Sequence, residues 1–275
     1  MRLGLGNMLV KGGALASLDP DARAYIAAVV AAGGTVSGGQ KTAINTFYKT
    51  GKSDGWYSSL KRMYLPIWGV AAPNAIDMIG LTSGTFVGTV THAAGYVFTD
   101  GSTGYFDSGA TPSGDGIQLD SASVFLFITG ASALAPQTAT YGGRPGQTDR
   151  WLNAGASVSG AGGVFTRLIS SANNVVTKAD IRGIILGNRN SNSEYDTHHR
   201  TGSGETVDNF SSASTTVPTM KMFAMAASLN NTAGTFSSNS VFYGAYGHGL
   251  GLNNGSGFTI ALKNLWEGTT GLTLP

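Results

Sequence analysis

The chain has no cysteine among its 275 residues. Structural disulfides and metal sites built from thiolates are therefore excluded. The fold must be held together by packing of its own core, by contacts with partner chains, or by both. A chain of this length can form one large β domain with a sizeable core and a small additional unit.

Charged residues are also scarce, at 12% of the chain, and the formal net charge is only +2. The usual charged share is about a quarter. Because no stripe of Lys and Arg is present, we expect no nucleic-acid partner. No stretch approaches the roughly 18 consecutive apolar residues of a membrane span, so we expect no membrane insertion. Low charge with 41 glycines is typical of extracellular or particle-borne β proteins.

Most helix signals lie in the first part of the chain. Asp19 can cap a helix in which Pro20 takes the first position. Ser37 and Gln40 have the spacing of a capping box, which predicts a second helix. Apolar residues at helical spacing predict a third helix over residues 54–64, closed by a proline.

From residue 74 onward the apolar residues follow the period of two that is typical of β-strands. The predicted strands cover residues 85–90, 95–98, 124–128, 164–169, 181–186, 220–229 and 240–246. Long polar loops are expected over residues 130–149 and 188–216, and a short closing helix over residues 256–266. The spacing of strands and turns predicts a mainly β protein, an antiparallel sandwich preceded by a short α-helical segment.

These signals divide the chain into three parts. Residues 1–18 are interpreted as an arm that packs against another chain, residues 19–68 as a helical docking or linker segment, and residues 69–275 as the β-sandwich. A signal peptide is the alternative for the arm, but glycines and Lys11 interrupt its apolar core.

Three segments resemble structural proteins of tailed bacteriophages. The first contains residues 19–22, residues 40–47 and a Trp56, Leu60, Tyr64-Leu65-Pro66 pattern, and it is similar to a helical hairpin that precedes a lectin-like domain. The second, residues 95–109, is similar to the early strands of concanavalin A-like sandwich domains in such proteins. The third, from residue 223 to the closing helix, is similar to the last strands and helix of that family.

The resemblance implies a virion protein of a tail fibre, spike or appendage, with a concanavalin A-like jelly-roll sandwich. Its partners would be other virion proteins and a host-surface glycan, and its oligomeric state would be a homotrimer. The helical segment would anchor the protein, and the sandwich would face outward and bind carbohydrate. The alternative is a decoration or collar protein that contacts only other virion proteins. A polysaccharide-cleaving enzyme is a further alternative.

Sugar binding requires aromatic faces together with groups that hydrogen-bond to hydroxyls. The residues predicted to bind carbohydrate are Trp151, Asn153, Tyr195, Asp196, His198 and Arg200. The alternative for Trp151 is the start of a core strand, and the alternative for the segment from Tyr195 to Arg200 is a solvated loop. Exposed aromatic side chains at these positions would favour glycan binding.

Catalysis is not expected from the sequence. Glycosidases of the concanavalin A-like kind need two carboxylates, usually in a Glu-x-Asp-x-Glu strand. Glu194 and Asp196 supply the first two positions, but His198 stands at the third. We therefore predict no catalytic residue and no enzymatic activity.

No cofactor is predicted, and a structural calcium ion is the alternative. Asp196, His198 and His199 are close in sequence, but neighbouring strand residues point to opposite faces, so no metal site is predicted there. Calcium would be held by loop aspartates, and the candidates are Asp100, Asp107, Asp115 and Asp120. Asp-Gly pairs among them are also ordinary turn formers.

Overall fold

The computed structural model describes residues 17–130, 139–144, 151–157, 162–170, 174–229, 231–234, 236–237, 240–251 and 254–275. The helices are α1 (Pro20–Ala31), α2 (Gly38–Ser53), α3 (Ala71–Asn74) and α4 (Asn254–Thr270), and Tyr57–Ser59 form one 3-10 turn. The first eight strands are β1 (Leu60–Met63), β2 (Thr85–Val87), β3 (Val90–Ala93), β4 (Tyr96–Thr99), β5 (Tyr105–Asp107), β6 (Ala122–Gly130), β7 (Ala139–Arg144) and β8 (Trp151–Ser157). The others are β9 (Gly163–Ser170), β10 (Val175–Thr177), β11 (Gly183–Arg189), β12 (Glu194–Thr201), β13 (Gly204–Ser211), β14 (Phe223–Ala224), β15 (Ala227–Leu229), β16 (Thr232–Gly234) and β17 (Ser240–Gly247).

The strands form two sheets. Sheet A has the order β13-β12-β11-β6-β17-β4-β3, and β1 also pairs with β17. Sheet B has the order β10-β9-β8-β7-β14-β5-β2, with β15 and β16 joined beside β7. Pairings between described strands are antiparallel, apart from the parallel pair of β15 and β7. The prediction of a mainly β protein with antiparallel sheets and a few helices is therefore confirmed.

Sheet A is covered on both faces, and strand β6 shows why. Phe125 and Phe127 point to the core shared with the helices, whereas Val124, Leu126 and Ile128 point to the core between the two sheets. Alternate residues of a strand face opposite sides, so a strand buried on both sides is apolar at every position. The molecule thus has three layers: helices, sheet A and sheet B.

The helices begin where the sequence predicts. Asp19 accepts hydrogen bonds from the N–H groups of Asp21 and Ala22, and Ser37 and Gln40 form the reciprocal capping box. Helix α4 covers sheet A with the apolar residues Phe258, Ala261, Leu262, Leu265 and Trp266, whose spacing places them on one face.

Several predicted elements are wrong in detail. Residues 54–64 are not a helix, because β1 pairs with β17 and this long-range pairing overrides the helical spacing. The predicted loop 188–216 contains the hairpin of β12 and β13, and the predicted loop 130–149 contains β7. The predicted strand 220–229 is divided into β14 and β15, and the closing helix is longer than predicted.

The division of the chain at residues 18 and 68 stays a prediction, and most of the proposed arm lies outside the described residues. Helices α1 and α2 share one core with α4 and sheet A, so the apolar faces of the helical segment are covered within the chain. Among the described residues, no helix has both the length and the apolar character needed to cross a membrane.

We expect Phe258→Ala to lower the free energy of unfolding by about 3–5 kcal/mol, because truncation leaves a cavity between α4 and sheet A. Phe258 is fully buried, and its ring lies 5.2 Å from that of Trp56 and 5.3 Å from that of Phe125 between centroids. Denaturant unfolding measures the change. The control is Ile260→Ala on the same helix, at a side chain that is 45% exposed. Equal effects of the two variants would contradict the packing of α4 onto sheet A.

Candidate functional site

Strand β12 places polar residues on the helix-covered face of sheet A. Arg200 contacts Thr259 of α4, so Arg200 and its alternate neighbours His198, Asp196 and Glu194 face the helical side. The intervening residues face sheet B: Thr197 shares a hydrogen bond with Thr166 of β9. The strand period thus brings three of the six predicted residues together.

A charged cluster is centred on His198. Its Nε2 atom lies 3.0 Å from Asp196 Oδ2, and its Nδ1 atom lies 3.3 Å from Glu205 Oε1 of β13. The Nδ1 contact is an ion-pair distance without hydrogen-bond geometry. Gly255 at the start of α4 packs on the imidazole, since a Cβ there would lie 2.4 Å from Nε2. The ring is therefore held between two carboxylates under the helix.

Arg200 and Thr259 complete this cluster. Arg200 Nη2 lies 3.0 Å from Glu205 Oε2, and Arg200 Nε donates to Thr259 Oγ1 at 2.8 Å. Thr259 Oγ1 donates to Glu205 Oε1 at 2.6 Å. We call Asp196, His198, Arg200, Glu205 and Thr259 the His198 cluster. It contains two carboxylates, one guanidinium and one imidazole.

Burial and charge have opposing effects on the pKa values of the cluster. Burial disfavours a charged imidazole, but close contacts with the carboxylates of Asp196 and Glu205 outweigh it and raise the pKa of His198 to about 9. Burial also disfavours a charged Glu205, but close contacts with His198, Ser256 and Thr259 lower its pKa to about 2. At neutral pH the buried histidine is therefore a cation that balances the carboxylates.

A polar crevice of about 190 Å³ opens beside the cluster. We call it the Asp196 crevice, and it is lined by Asn188, Asn190, Ser191, Glu194, Tyr195, Asp196 and Asn209. Asn188, Asp196 and Asn209 lie opposite one another on β11, β12 and β13 and form a polar row across three strands.

Some of the side chains that line the crevice already have hydrogen-bond partners within the chain, and others do not. Asn188 accepts from Leu250 N at 2.8 Å, and Asn190 accepts from Gly251 N at 3.1 Å. The side chains of Glu194 and Asn209 have no hydrogen-bond partner within the part of the chain that the structure describes. The crevice therefore presents a carboxylate and an amide that are free to bind a ligand, beside the fixed carboxylate of Asp196.

Tyr195 is buried, although the prediction placed it at the surface. Its side chain is only 3% exposed, its hydroxyl donates to Thr166 O at 2.9 Å, and its ring packs against Phe210. Arg189 lies over the same ring and donates to the carbonyl groups of residues 168, 191 and 212. The interpretation of Tyr195 as a stacking platform for sugars is wrong, because the odd positions of β12 face sheet B.

Two other predicted residues belong to a different sheet. Trp151 and Asn153 lie on β8 in sheet B, and Asn153 is buried. The alternative that Trp151 opens a strand agrees with its position at the start of β8; its side chain lies outside what the structure describes. The six predicted residues therefore form no single site: three are in the His198 cluster and three are not.

The sequence-based prediction missed Glu205, Thr259 and the crevice asparagines. The turn signal Thr201-Gly202-Ser203-Gly204 would have paired Arg200 with Glu205, had residues 194–211 been recognised as a hairpin. No local signal could have placed Thr259, which is brought in by the packing of α4.

The loop aspartates proposed for calcium are engaged with protein groups. Asp100 accepts from the N–H groups of residues 102–104, which closes its own turn. Asp107 pairs with Lys221, Asp115 pairs with Arg62, and Asp120 accepts from Ser214. Within the described residues, no group of three or more His, Asp or Glu side chains could hold a metal ion.

Comparison with known proteins gives only weak matches, and all of them are matches of structure. No known protein family and no curated protein matches the sequence. A Trypanosoma rangeli sialidase in complex with sialic acid matches with a TM-score of 0.44 and 11% identity, over 81% of this chain and 38% of the sialidase. The CBM40 of a Ruminococcus gnavus IT-sialidase matches with a TM-score of 0.34 and 10% identity, over 52% of this chain and 82% of the CBM40.

The prediction that the chain is not an enzyme is contradicted by this comparison. The matching structures include several T. rangeli sialidases, one of them a covalent intermediate, and sialidases are glycoside hydrolases. The chain spans less than two fifths of the length of that sialidase.

The His198 cluster predicts a pH-dependent stability. The pKa of His198 is raised to about 9, above the ordinary histidine value of about 6.5, so its stabilising contribution is fully present below about pH 6.5 and is lost as the pH rises through about 9. We expect the difference in unfolding free energy between wild type and His198→Gln to decrease over this range. Urea unfolding at several pH values measures it. A pH-independent difference would show that His198 is not a buried cation.

The neighbouring His199 is a matched control of opposite sign. Burial lowers its pKa, so its contribution is present at high pH and is lost as the pH falls below about 6.5. We expect the difference between wild type and His199→Gln to increase as the pH rises.

Proposed function

We propose that this chain is a carbohydrate-binding virion protein that holds a neutral sugar in the Asp196 crevice. The observation that carries the proposal is the pair of open groups on Glu194 and Asn209, next to a carboxylate fixed by the His198 cluster. Carboxylates accept hydrogen bonds from sugar hydroxyls, and an amide both donates and accepts. Such a row of groups suits the hydroxyls of a pyranose ring.

The charge of the crevice supports the choice of a neutral sugar. Its lining residues include two carboxylates and no Lys, Arg or His. Arg200, the nearest cation on β12 after His198, is engaged with Glu205. An acidic sugar would bring a third negative charge close to Glu194 and Asp196, which is unfavourable.

The size of the crevice supports weak binding at each site. At about 190 Å³ it is smaller than the about 300–1,000 Å³ of pockets for drug-sized ligands, so it suits one sugar unit of a polymer. Because the crevice lining includes no exposed aromatic side chain, hydrogen bonds supply most of the affinity. Several copies of the chain on one particle would make adhesion firm.

The assignment to a virion is supported by the sequence resemblance to tailed-bacteriophage structural proteins. In this proposal the two sheets are a jelly-roll of the concanavalin A-like kind. Other virion proteins and a host-surface glycan are the partners. Labelling of intact particles with an antibody to this chain, viewed by electron microscopy, tests the location: label on fibres or spikes supports it, and no label on particles overturns it.

A second candidate function, hydrolysis of a polysaccharide, is favoured by one observation. Glu194 and Asp196 occupy alternate positions on the same face of β12 and border the same crevice. Alternate residues of a strand have Cα atoms about 6.6 Å apart. Side chains at that spacing can bring their carboxylates to the roughly 6.5–9.5 Å that inverting glycosidases use.

For binding, we expect Glu194→Gln and Asn209→Ala each to weaken sugar affinity about tenfold or more, because each removes a hydrogen bond to the ligand. Calorimetry with the neutral polysaccharide that binds best on a glycan array measures the change. Asp54→Asn is the control, since it removes one exposed negative charge that is not part of the crevice lining. Unchanged affinity in both crevice variants, or a preference for acidic glycans, would refute the proposal.

For hydrolysis, the wild-type chain is expected to release reducing ends from the bound polysaccharide, and Glu194→Gln is expected to release none. Asn209→Ala is the matched variant, because it weakens binding and leaves both carboxylates in place. Binding by the wild type without release of reducing ends would exclude this second candidate.

A further inference from the structure

Strand β13 is a long, regular edge of sheet A. Residues 204–211 pair with β12 in one continuous register without a bulge. On the other side β13 has no neighbouring strand among the described residues. Within the described part of the chain, backbone groups of residues 205–211 bond to β12 and to no other segment. The outer edge therefore presents a row of backbone donors and acceptors that can pair with another strand.

The other edges of the two sheets are much shorter. Strand β3 at the far side of sheet A has four residues, and β10 and β2 at the edges of sheet B have three each, whereas β13 has eight. Proteins commonly prevent edge pairing with short strands, bulges, prolines or lysines. Strand β13 has none of these features.

The charged side chains of β13 are already paired within the chain. Glu205 lies 3.0 Å from Arg200, and Asp208 lies 3.3 Å from Lys178. Val207 between them is 45% exposed, which is unusual for a valine in the middle of a long strand. The edge thus combines open backbone groups with an exposed apolar residue and no unpaired charge.

We propose that β13 pairs antiparallel with β13 of a second copy of this chain, about a twofold axis at Val207. In an antiparallel pair, residues that lie opposite each other have their side chains on the same face of the sheet. A twofold axis perpendicular to the sheet therefore passes through a pair formed by one residue and its own copy. Axes at Val207 and at Asp208 give the longest overlaps of the strand. The axis at Asp208 places two carboxylates opposite each other, which is destabilising.

The axis at Val207 avoids that repulsion. It places the two exposed valines against each other, Glu205 opposite Asn209, and Thr206 opposite Asp208. No carboxylate then faces another, and residues 204–210 of both copies pair. Charge complementarity along the strand therefore favours a second copy of the chain as the partner of this edge. It also favours a single register of the two strands.

The pairing has a consequence for the Asp196 crevice. Asn209 borders the crevice and lies on the interface strand, so Glu205 of the second copy would stand beside it. Because the axis is perpendicular to the sheet, both crevices open on the same side of the joined sheet. Two sites on one side can engage one surface together. The assembly would have twofold symmetry, in contrast to the homotrimer that the resemblance implies.

Cysteine cross-linking tests both the pairing and its register, because the wild-type chain contains no thiol. Opposite residues of an antiparallel pair have Cα atoms about 4.5–5.5 Å apart, within the range that a disulfide spans. We expect Val207→Cys to form a disulfide-linked dimer under mild oxidation. Val175→Cys is the matched control, since Val175 is 46% exposed on the short edge strand β10.

A second cysteine variant tests the alternative register, with the axis at Asp208. Cross-linking of Asp208→Cys in preference to Val207→Cys would overturn the axis at Val207. Equal cross-linking of Val207→Cys and Val175→Cys would indicate random collision and would overturn the pairing. Sedimentation of the wild-type chain at high concentration with the mass of a monomer or of a trimer would also overturn it.

A lysine on the edge gives an independent measurement. Val207→Lys is expected to halve the sedimentation mass, because two cations would meet at the axis, while its circular dichroism spectrum stays that of the folded wild type. Val175→Lys is expected to keep the mass of the dimer. A Val207→Lys variant that remains dimeric while folded would overturn the proposal, whatever glycan the chain binds.

Discussion

Sheet A is apolar on both faces, and the rest of the molecule follows from the need to cover each of them. Phe125 and Phe127 on one side of β6 would be exposed to water without the helices. Burial of a phenylalanine contributes about 1.5–3 kcal/mol, so this layer is a main source of stability. The same covering helix builds the site, because the start of α4 places Gly255 on His198 and Thr259 on Glu205.

The His198 cluster resolves a problem that this packing creates. Helix α4 closes over polar residues of β12, and an unpaired charge there would be costly to bury. The histidine cation and Arg200 balance Asp196 and Glu205, and Thr259 adds hydrogen bonds. One result is that the carboxylate of Asp196 is held still at the edge of the crevice. A fixed group loses less conformational entropy on binding a ligand than a mobile one.

Local signals in the sequence were sufficient for the capped helices and for most apolar strands. They were insufficient where pairing partners lie far apart in the chain. The Ser/Asn-rich stretch before Glu194 concealed a hairpin whose register decides which side chains share a face. That register moved Tyr195 into the core, and the separation of β8 into sheet B removed Trp151 and Asn153 from the predicted site. The residue types suit sugar binding, but the sequence could not show which face of the strand each one occupies.

The distinction between structural and binding residues at this corner lies in the bonds that each group already makes. Tyr195, His198 and Arg200 have the chemistry of a sugar site, yet each is engaged inside the chain. Glu194 and Asn209 are less distinctive in sequence, yet their side chains face the crevice without a partner among the described residues. The backbone of β13 is open in the same sense on its outer edge. Open side-chain and backbone groups therefore lie next to each other at this corner, which is where we propose that a ligand and a second copy bind.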